Sequence, residues 1–169
     1  MNMNKILFLD LDGVLNTFDN LFSMSVIEKL TGKPSMDSYG HLFDDRCVNW
    51  LEYIILNTKC KIVISSTWRR SGLDNMKKMW EERNLPGEVI DITPTIVDKI
   101  IIDKYKPNNI NADRGYEIQQ WIDNNDIETY CIVDDDSDML SHQNFVKVDG
   151  KFGLEYISSN KIINILNNI

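Results

Sequence analysis

Aspartate residues follow two apolar segments of the chain, and they are the residues best suited to do chemistry. Asp10 and Asp12 come directly after the apolar residues 6–9, and the run DDDSD at 134–138 comes directly after the apolar residues 130–133. Carboxylates this close together repel each other when ionised, and a bound divalent cation relieves that repulsion. Hard carboxylate oxygens suit magnesium. The spacing predicts an Mg²⁺ site, with solvated acidic turns as the plain alternative.

A third apolar segment, residues 61–64, ends in hydroxyl side chains. Ser65 is the first polar residue after it, so we expect its hydroxyl to bind a phosphate, with Ser66 as the alternative. A cluster that merely caps a turn is the structural alternative. Arg69 is a candidate for gripping a substrate phosphate through two N–H groups, and Trp68 either packs in the core or stacks on a base. Carboxylates, hydroxyls and an arginine together indicate a phosphoryl-transfer site.

These groups meet only if the three apolar segments are neighbouring parallel strands. Short runs that are apolar throughout are typical of strands buried on both faces, and open α/β sheets bind ligands beyond the carboxyl ends of their strands. Further strands are predicted at 89–92 and 145–148, and helices at about 45–57, 71–84, 113–124 and 158–166, with Ser71 capping the second helix. Such alternation predicts an α/β fold, a Rossmann-like three-layer sandwich with a central, mainly parallel sheet.

Two segments interrupt this alternation in a chain whose 169 residues fit a single domain, 1–169. Residues 17–42 follow the first strand as an insertion, which we expect to form a minimal cap. Within it, residues 21–30 are predicted to form a short helix that Gly32 and Pro34 bring to an end. Residues 93–113 contain two prolines and the run NNIN, which predict a flexible loop. Its length suggests a functional flap or a substrate-shaped loop.

Three segments resemble, in the expected order, the motifs of the haloacid dehalogenase-like (HAD) phosphatase superfamily. They are DLDGV at 10–14, IVISS at 62–66 and IVDDD at 132–136. The longer strings VISSTWR and RGYEIQQWI resemble more narrowly the HAD domain of Swiss Army Knife RNA repair-like proteins. The resemblance covers nearly the whole chain. It implies an Mg²⁺-dependent phosphatase that acts on phosphate monoesters through an aspartyl-phosphate intermediate.

The resemblance also implies a role for individual residues. Asp10 is the expected nucleophile, and Asp12 the expected general acid and base, whose backbone carbonyl also binds the metal. Asp135 or Asp134 completes the metal site; we favour Asp135 and keep Asp134 as the alternative. The superfamily needs a cation near the nucleophile, and we choose Arg114, although a lysine is commoner there. The lysines that could take its place are Lys99, Lys104 and Lys106.

Composition and net charge limit the classes of partner that we expect for this protein. Apolar residues make up 43% and charged residues 26%, which is ordinary for a soluble globular protein, and no apolar run approaches the ~20 residues of a membrane span. Three scattered cysteines favour a reduced, cytoplasmic protein. The net charge of −8 argues against generic affinity for nucleic acid. We expect a phosphorylated substrate, with a nucleotide or a nucleic-acid terminus as its form, and no membrane partner.

Two other classes of protein use similar features. A response-regulator receiver also combines acids, magnesium and a hydroxyl on a parallel sheet. In a receiver the paired acids come first, and the phosphorylated aspartate lies on a later strand. Here the pair Asp10 and Asp12 comes first and contains the expected nucleophile, the hydroxyl motif is in the middle, and the aspartate run comes late. A catalytically idle interaction domain would keep the fold without the chemistry. The intact set of motifs argues against the second alternative.

Overall fold

The computed structural model of the protein describes residues 5–105 and 112–169. Strands and helices alternate along most of the described chain. The strands are β1 Lys5–Leu9, β2 Met36–Asp37, β3 Gly40–His41, β4 Lys61–Ile64, β5 Val89–Ile92, β6 Thr129–Asp134 and β7 Phe145–Lys147. The helices are α1 Phe18–Thr31, α2 Asp45–Thr58, the 3₁₀ helix Thr67–Ser71, α3 Leu73–Glu82, α4 Lys99–Tyr105, α5 Asp113–Asp123 and α6 Tyr156–Asn167.

A five-stranded sheet with the order β5-β4-β1-β6-β7 forms the centre of the molecule. All its strand pairs are parallel. The strand β1 lies between β4 and β6, so that Leu9 aligns with Ile64 on one side and with Val133 on the other. A parallel strand in this position is buried on both faces, which explains its unbroken apolar run. The predicted α/β fold is confirmed.

Side chains of β1 alternate between two helical layers. Leu7 and Leu9 belong to the larger core cluster, which they share with residues of α2, α3 and α6. Ile6 and Phe8 point to the opposite face and pack with α5, where the rings of Phe8 and Trp121 meet edge to face at 5.3 Å. The sheet therefore lies in the middle of three layers.

Most predicted elements are confirmed, but the cap assigned to α3 is wrong. The helix begins at Leu73 after Gly72, whose φ of +90° suits a glycine, and no side chain caps it. Ser71 instead closes the preceding 3₁₀ helix and donates a hydrogen bond from its hydroxyl to the carbonyl of Trp68 (2.9 Å). A serine that bonds backwards in this way is not available to cap the next helix.

The insertion at 17–42 contains more structure than the sequence indicated. Helix α1 begins at Phe18 because the Thr17 hydroxyl accepts a hydrogen bond from the Asn20 amide (3.1 Å). It ends at Gly32, whose φ is +74°. The strands β2 and β3 then pair as a short antiparallel hairpin, which the sequence did not reveal.

Residues 93–113 are not simply a flexible loop as predicted, because they contain α4. Ile101 and Tyr105 of this helix pack against a small buried cluster that includes Tyr116 on α5. Their spacing of four residues places both on one helix face, a pattern that the prolines and asparagines obscured. The part of that prediction at 106–111 falls outside the described residues. Within 5–105 and 112–169, none of the helices has the length and hydrophobicity that crossing a membrane requires.

Candidate active site

Three strand ends meet at the carboxyl edge of the sheet. Asp10 follows β1, Ser65 follows β4, and Asp134 is the last residue of β6. The backbone N–H of Asp10 donates to the carbonyl of Val133 (3.1 Å), and that of Ser65 donates to the carbonyl of Leu9 (2.9 Å). The ladder therefore continues one residue past β1 and past β4, and it fixes these side chains next to each other. This juxtaposition is the one that the sequence predicted.

Asp10, Asp134 and Asp135 form an acidic cluster at this edge. One carboxylate oxygen from each lies within 4.8 Å of the others. Asp10 is 6% and Asp134 3% exposed, whereas Asp135 is half-buried. The sequence left Asp134 and Asp135 as alternatives, and the fold brings both to the cluster. Three hard oxygen donors converging on one point match the preferences of a divalent cation such as Mg²⁺.

The cluster is electrostatically unfavourable by itself. Burial, and after it the charge of Asp134, raise the pKa of Asp10 from 3.8 to about 7. Burial is also the main cause that raises the pKa of Asp134 to about 6, and it raises the pKa of Asp135 as well. Arg114 acts in the opposite direction and lowers the pKa of Asp10 and of Asp134. A cation bound among these carboxylates would favour their ionised forms.

Two glycines leave space around the Asp135 carboxylate. A Cβ atom on Gly13, which has a φ of +74°, would lie 2.2 Å from the Cγ of Asp135. A Cβ atom on Gly150 would lie 2.3 Å from its Oδ2. Both positions therefore require glycine while Asp135 keeps this orientation. The three carboxylates offer only oxygen donors, and the two glycines form a cradle around one of them, that of Asp135. This arrangement fits a divalent cation. Gly150 lies far from the acids in sequence, and no local signal marked it.

Arg114 supplies the cation beside the candidate nucleophile. Its Nη1 lies 3.9 Å from the Oδ1 of Asp10, and the same nitrogen donates a hydrogen bond to the carbonyl of Ser65. Asp138 holds the start of α5 in place, because it accepts a hydrogen bond from the backbone N–H of Arg114 (3.1 Å). Arg114 is therefore held both at its backbone N–H and at its guanidinium.

Two of the lysines considered as alternatives to Arg114, Lys99 and Lys104, belong to α4. The Lys104 Nζ sits 4.9 Å from the centre of the Tyr105 ring, and Lys99 is an exposed residue at the start of the helix. Lys106 lies outside the described residues. Across 5–105 and 112–169, Arg114 is the residue found in an ion pair with Asp10.

Asp12 is not one of the three clustered carboxylates, and two neutral donors hold its side chain. Its Oδ2 accepts a hydrogen bond from the Trp68 Nε1 (2.9 Å), and its Oδ1 accepts one from the Asn16 side chain (2.8 Å). The Trp68 ring also packs on Phe43, with 5.5 Å between the ring centres. The sequence suggested packing or base stacking for Trp68 and missed its contact with Asp12, because 56 positions separate the two residues.

The hydroxyls of Ser65 and Ser66 are buried at the same edge of the sheet. Their residues are 1% and 0% exposed, and neither hydroxyl oxygen has a hydrogen-bond partner in the described chain. The Ser66 hydroxyl lies near enough to the Asp10 carboxylate to lower its pKa, but their geometry falls short of a hydrogen bond. Buried hydroxyls without partners are unusual, and a phosphate oxygen is a suitable acceptor for them.

Arg69 is built into the protein rather than extended towards solvent. It is 6% exposed, its Nη2 pairs with the Glu117 carboxylate (2.6 Å), and its Nη1 donates to the carbonyl of Ser66 (2.8 Å). Burial lowers the pKa of Arg69, while Glu117 acts in the opposite direction. In this conformation the fork expected to grip a phosphate is occupied, and only Nε lacks a partner among the described residues. Sequence reasoning missed Glu117, which lies on a different element.

The fold and the site define a class of protein. A parallel α/β sheet carries converging carboxylates, buried hydroxyls and an arginine at the carboxyl ends of three adjacent strands. Such a constellation is suited to phosphoryl transfer, where catalysis consists mainly of positioning and electrostatic stabilisation.

The chain belongs to the family described as the HAD domain in Swiss Army Knife RNA repair proteins, which it matches over residues 6–156. The resemblance stated from the motifs is thereby confirmed. Membership supports a hydrolase of the phosphatase type and a phosphorylated substrate. No curated protein and no solved structure matched the chain.

Proposed function

We propose that the protein is an Mg²⁺-dependent phosphohydrolase that cleaves phosphate monoesters through an aspartyl-phosphate formed on Asp10. The observation that carries this proposal is the meeting of Asp10 with Asp134, Asp135 and Arg114 at one edge of the sheet. A buried carboxylate beside a guanidinium can approach a phosphate that the same guanidinium attracts.

The reaction has two steps. An oxygen of Asp10 attacks phosphorus, the bond from phosphorus to the leaving oxygen breaks, and Asp12 gives that oxygen its proton. In the second step Asp12 takes a proton from water, which attacks the phosphorus of the acyl phosphate and releases inorganic phosphate and free Asp10. The hydrogen bonds from Trp68 and Asn16 hold Asp12 in one orientation throughout.

Other residues stabilise the phosphoryl group. Arg114 offsets negative charge on the nucleophile and the transferred group. The hydroxyls of Ser65 and Ser66 donate to phosphoryl oxygens, which would satisfy two buried groups that otherwise lack partners. Substrate binding by Arg69 stays a prediction and requires that the guanidinium use its Nε or exchange its contact with Glu117.

The carboxylates of Asp10, Asp134 and Asp135 would hold Mg²⁺, with the backbone carbonyl of Asp12 as a further oxygen ligand. When bound, the ion offsets the charge that builds up on the phosphoryl oxygens. Three features of the cluster support an Mg²⁺ site there. Its donors are all carboxylate oxygens, and the pKa of each of the three carboxyls is raised. The two glycines also leave room around Asp135.

The substrate we propose is a nucleotide or a nucleic-acid terminus. The family name refers to RNA repair, and the candidate cap at 17–42 is small. Helix α1 buries none of its residues, which supports an open site that admits bulky substrates. The net charge of −8 fits recognition of an end through a few arginines rather than a broad basic surface.

Family membership favours a hydrolase over a receiver, whose acceptor aspartate would lie on a later strand.

An activity assay distinguishes the proposed enzyme from a catalytically idle interaction domain. Purified protein should release phosphate from 4-nitrophenyl phosphate, nucleotides and 3′- or 5′-phosphorylated oligonucleotides in Mg²⁺, and should stop in EDTA. Asp10→Asn should abolish turnover, and an unchanged rate would refute the nucleophile. Release from the aryl phosphate alone would refute the proposed substrate class.

A further inference from the structure

A groove of about 560 Å³ runs beside the candidate active site. It adjoins a smaller groove of about 200 Å³, with which it shares Arg69, Arg70 and Thr95. The smaller groove is also lined by Arg114, whose Nη1 lies 3.9 Å from Asp10, and by the acidic residues Asp113, Glu117 and Asp138. A molecule whose phosphate reaches Asp10 can therefore extend past Arg114 into the larger groove.

The larger groove is lined by arginines although the net charge of the protein is −8. Among the residues that the structure describes, the charged residues in its lining are Arg70 and Arg69, and Arg69 is paired with Glu117. Arg70 is exposed, and no carboxylate of the described residues forms an ion pair with it. Arg70, which has no carboxylate partner there, therefore supplies the uncompensated positive charge of the groove and is suited to bind an anion.

Two buried donors in the groove wall lack partners. The Nε of Arg69, a residue 6% exposed, and the hydroxyl of Thr93, a residue 1% exposed, make no hydrogen bond within the described chain. Both residues line the larger groove. Buried polar groups are normally satisfied, so these two groups indicate a ligand with acceptor oxygens.

Other residues in the lining of the larger groove suit an organic group. Asn124 and Asn125 donate their amide N–H groups to carbonyls of α5 (2.9 and 2.7 Å), which leaves their side-chain oxygens as acceptors. Trp121 and Ile92 add apolar surface. A planar polar group such as a nucleobase could lie between these acceptors and this surface.

We propose that this groove binds a second, non-transferred phosphate carried by the leaving group, with Arg70 and the Arg69 Nε as its donors. The substrate class is then a nucleoside or oligonucleotide that bears another phosphate within one nucleotide of the scissile monoester. This inference rests on the proposed function for the transferred phosphate, but the binding of the second phosphate does not require turnover.

The test uses two probes in the inactive Asp10→Asn protein with Mg²⁺. Isothermal titration compares adenosine 3′,5′-bisphosphate with adenosine 5′-monophosphate. The bisphosphate should bind about tenfold or more tightly, the effect expected of one charged hydrogen-bonded pair. Arg70→Gln should remove this preference. Thr95→Asp, an exposed change that places a negative charge between the two grooves, should remove it too. Lys161→Gln deletes one positive charge on the exposed side of α6 and should leave the preference intact.

Steady-state kinetics separate the proposed phosphohydrolase function from the proposed second-phosphate site. In protein with an intact Asp10, the ratio of kcat/KM for the bisphosphate to that for 4-nitrophenyl phosphate should fall about tenfold in Arg70→Gln and in Thr95→Asp. If no compound is hydrolysed but the Arg70-dependent binding preference is present, the proposed function fails and the subsite stands. If phosphate is released while neither variant changes the preference or the ratio, the subsite is refuted and the proposed function stands.

Discussion

Replacing Asp10 with asparagine should stabilise the metal-free protein while abolishing its activity. Burial and the charge of Asp134 raise the pKa of Asp10 from 3.8 to about 7. At about 1.4 kcal/mol per pH unit, this rise means that ionised Asp10 destabilises the fold by about 4 kcal/mol. A buried asparagine amide without partners costs about 1–3 kcal/mol. The net gain for Asp10→Asn above pH 7 is therefore about 1–3 kcal/mol.

The effect has a definite dependence on pH. Because the folded-state pKa of Asp10 lies above its value in the unfolded chain, the folded protein keeps this proton between about pH 4 and pH 7. The free energy of unfolding of the wild type should fall as pH rises through that window, and the penalty is complete above it. At pH 5 Asp10 is protonated, so the variant should lose its advantage and be as stable as the wild type or less stable.

Urea unfolding in EDTA at pH 5 and pH 8 measures both effects. Asp126→Asn, which removes an exposed carboxylate just after α5, is the matched control and should change the free energy of unfolding by less than about 0.5 kcal/mol. Saturating Mg²⁺ at pH 8 should stabilise the wild type and the control more than Asp10→Asn, because the variant lacks one carboxylate ligand. A variant that is less stable at pH 8, or whose difference from the wild type is independent of pH, would contradict the reasoning.

Substitutions at three further positions test the other parts of the proposed site. Arg114→Ala should lower kcat/KM about a hundredfold, the scale of one lost charge-stabilising donor, and Arg114→Lys should recover part of it; equal rates in steady-state assays would exclude Arg114 from the site. Gly150→Ala, whose new Cβ would lie 2.3 Å from Asp135 Oδ2, should weaken Mg²⁺ affinity at least tenfold by titration calorimetry, and wild-type affinity would count against the cluster as the metal site. Trp68→Phe should lower kcat roughly three- to tenfold with little change in KM, because Asp12 loses one hydrogen bond of about 1 kcal/mol; a change confined to KM would disprove this positioning role.

Several features of the fold and of the site follow from local sequence. The central strands are apolar without interruption, and only a strand buried on both faces needs that composition, so β1, β4 and β6 were predictable. Parallel strands share one carboxyl edge, and this geometric rule alone brings Asp10, Ser65 and Asp134 together once the strands are neighbours. The helix α4 escaped prediction because asparagines and prolines around it masked a short apolar face.

The order of the strands and the contacts between distant elements were decided by the tertiary structure. The pairing of Arg69 with Glu117 joins residues 48 positions apart, and the contact of Trp68 with Asp12 joins residues 56 positions apart. Gly150 makes room for Asp135 only because the segment after β7 returns to the site. Sequence patterns record the burial and backbone preference of each residue. Which partner a buried polar group finds depends on how whole layers pack, because it can bond only to groups that the folded chain brings within hydrogen-bonding distance. The buried hydroxyls of Ser65 and Ser66 find none among the described residues.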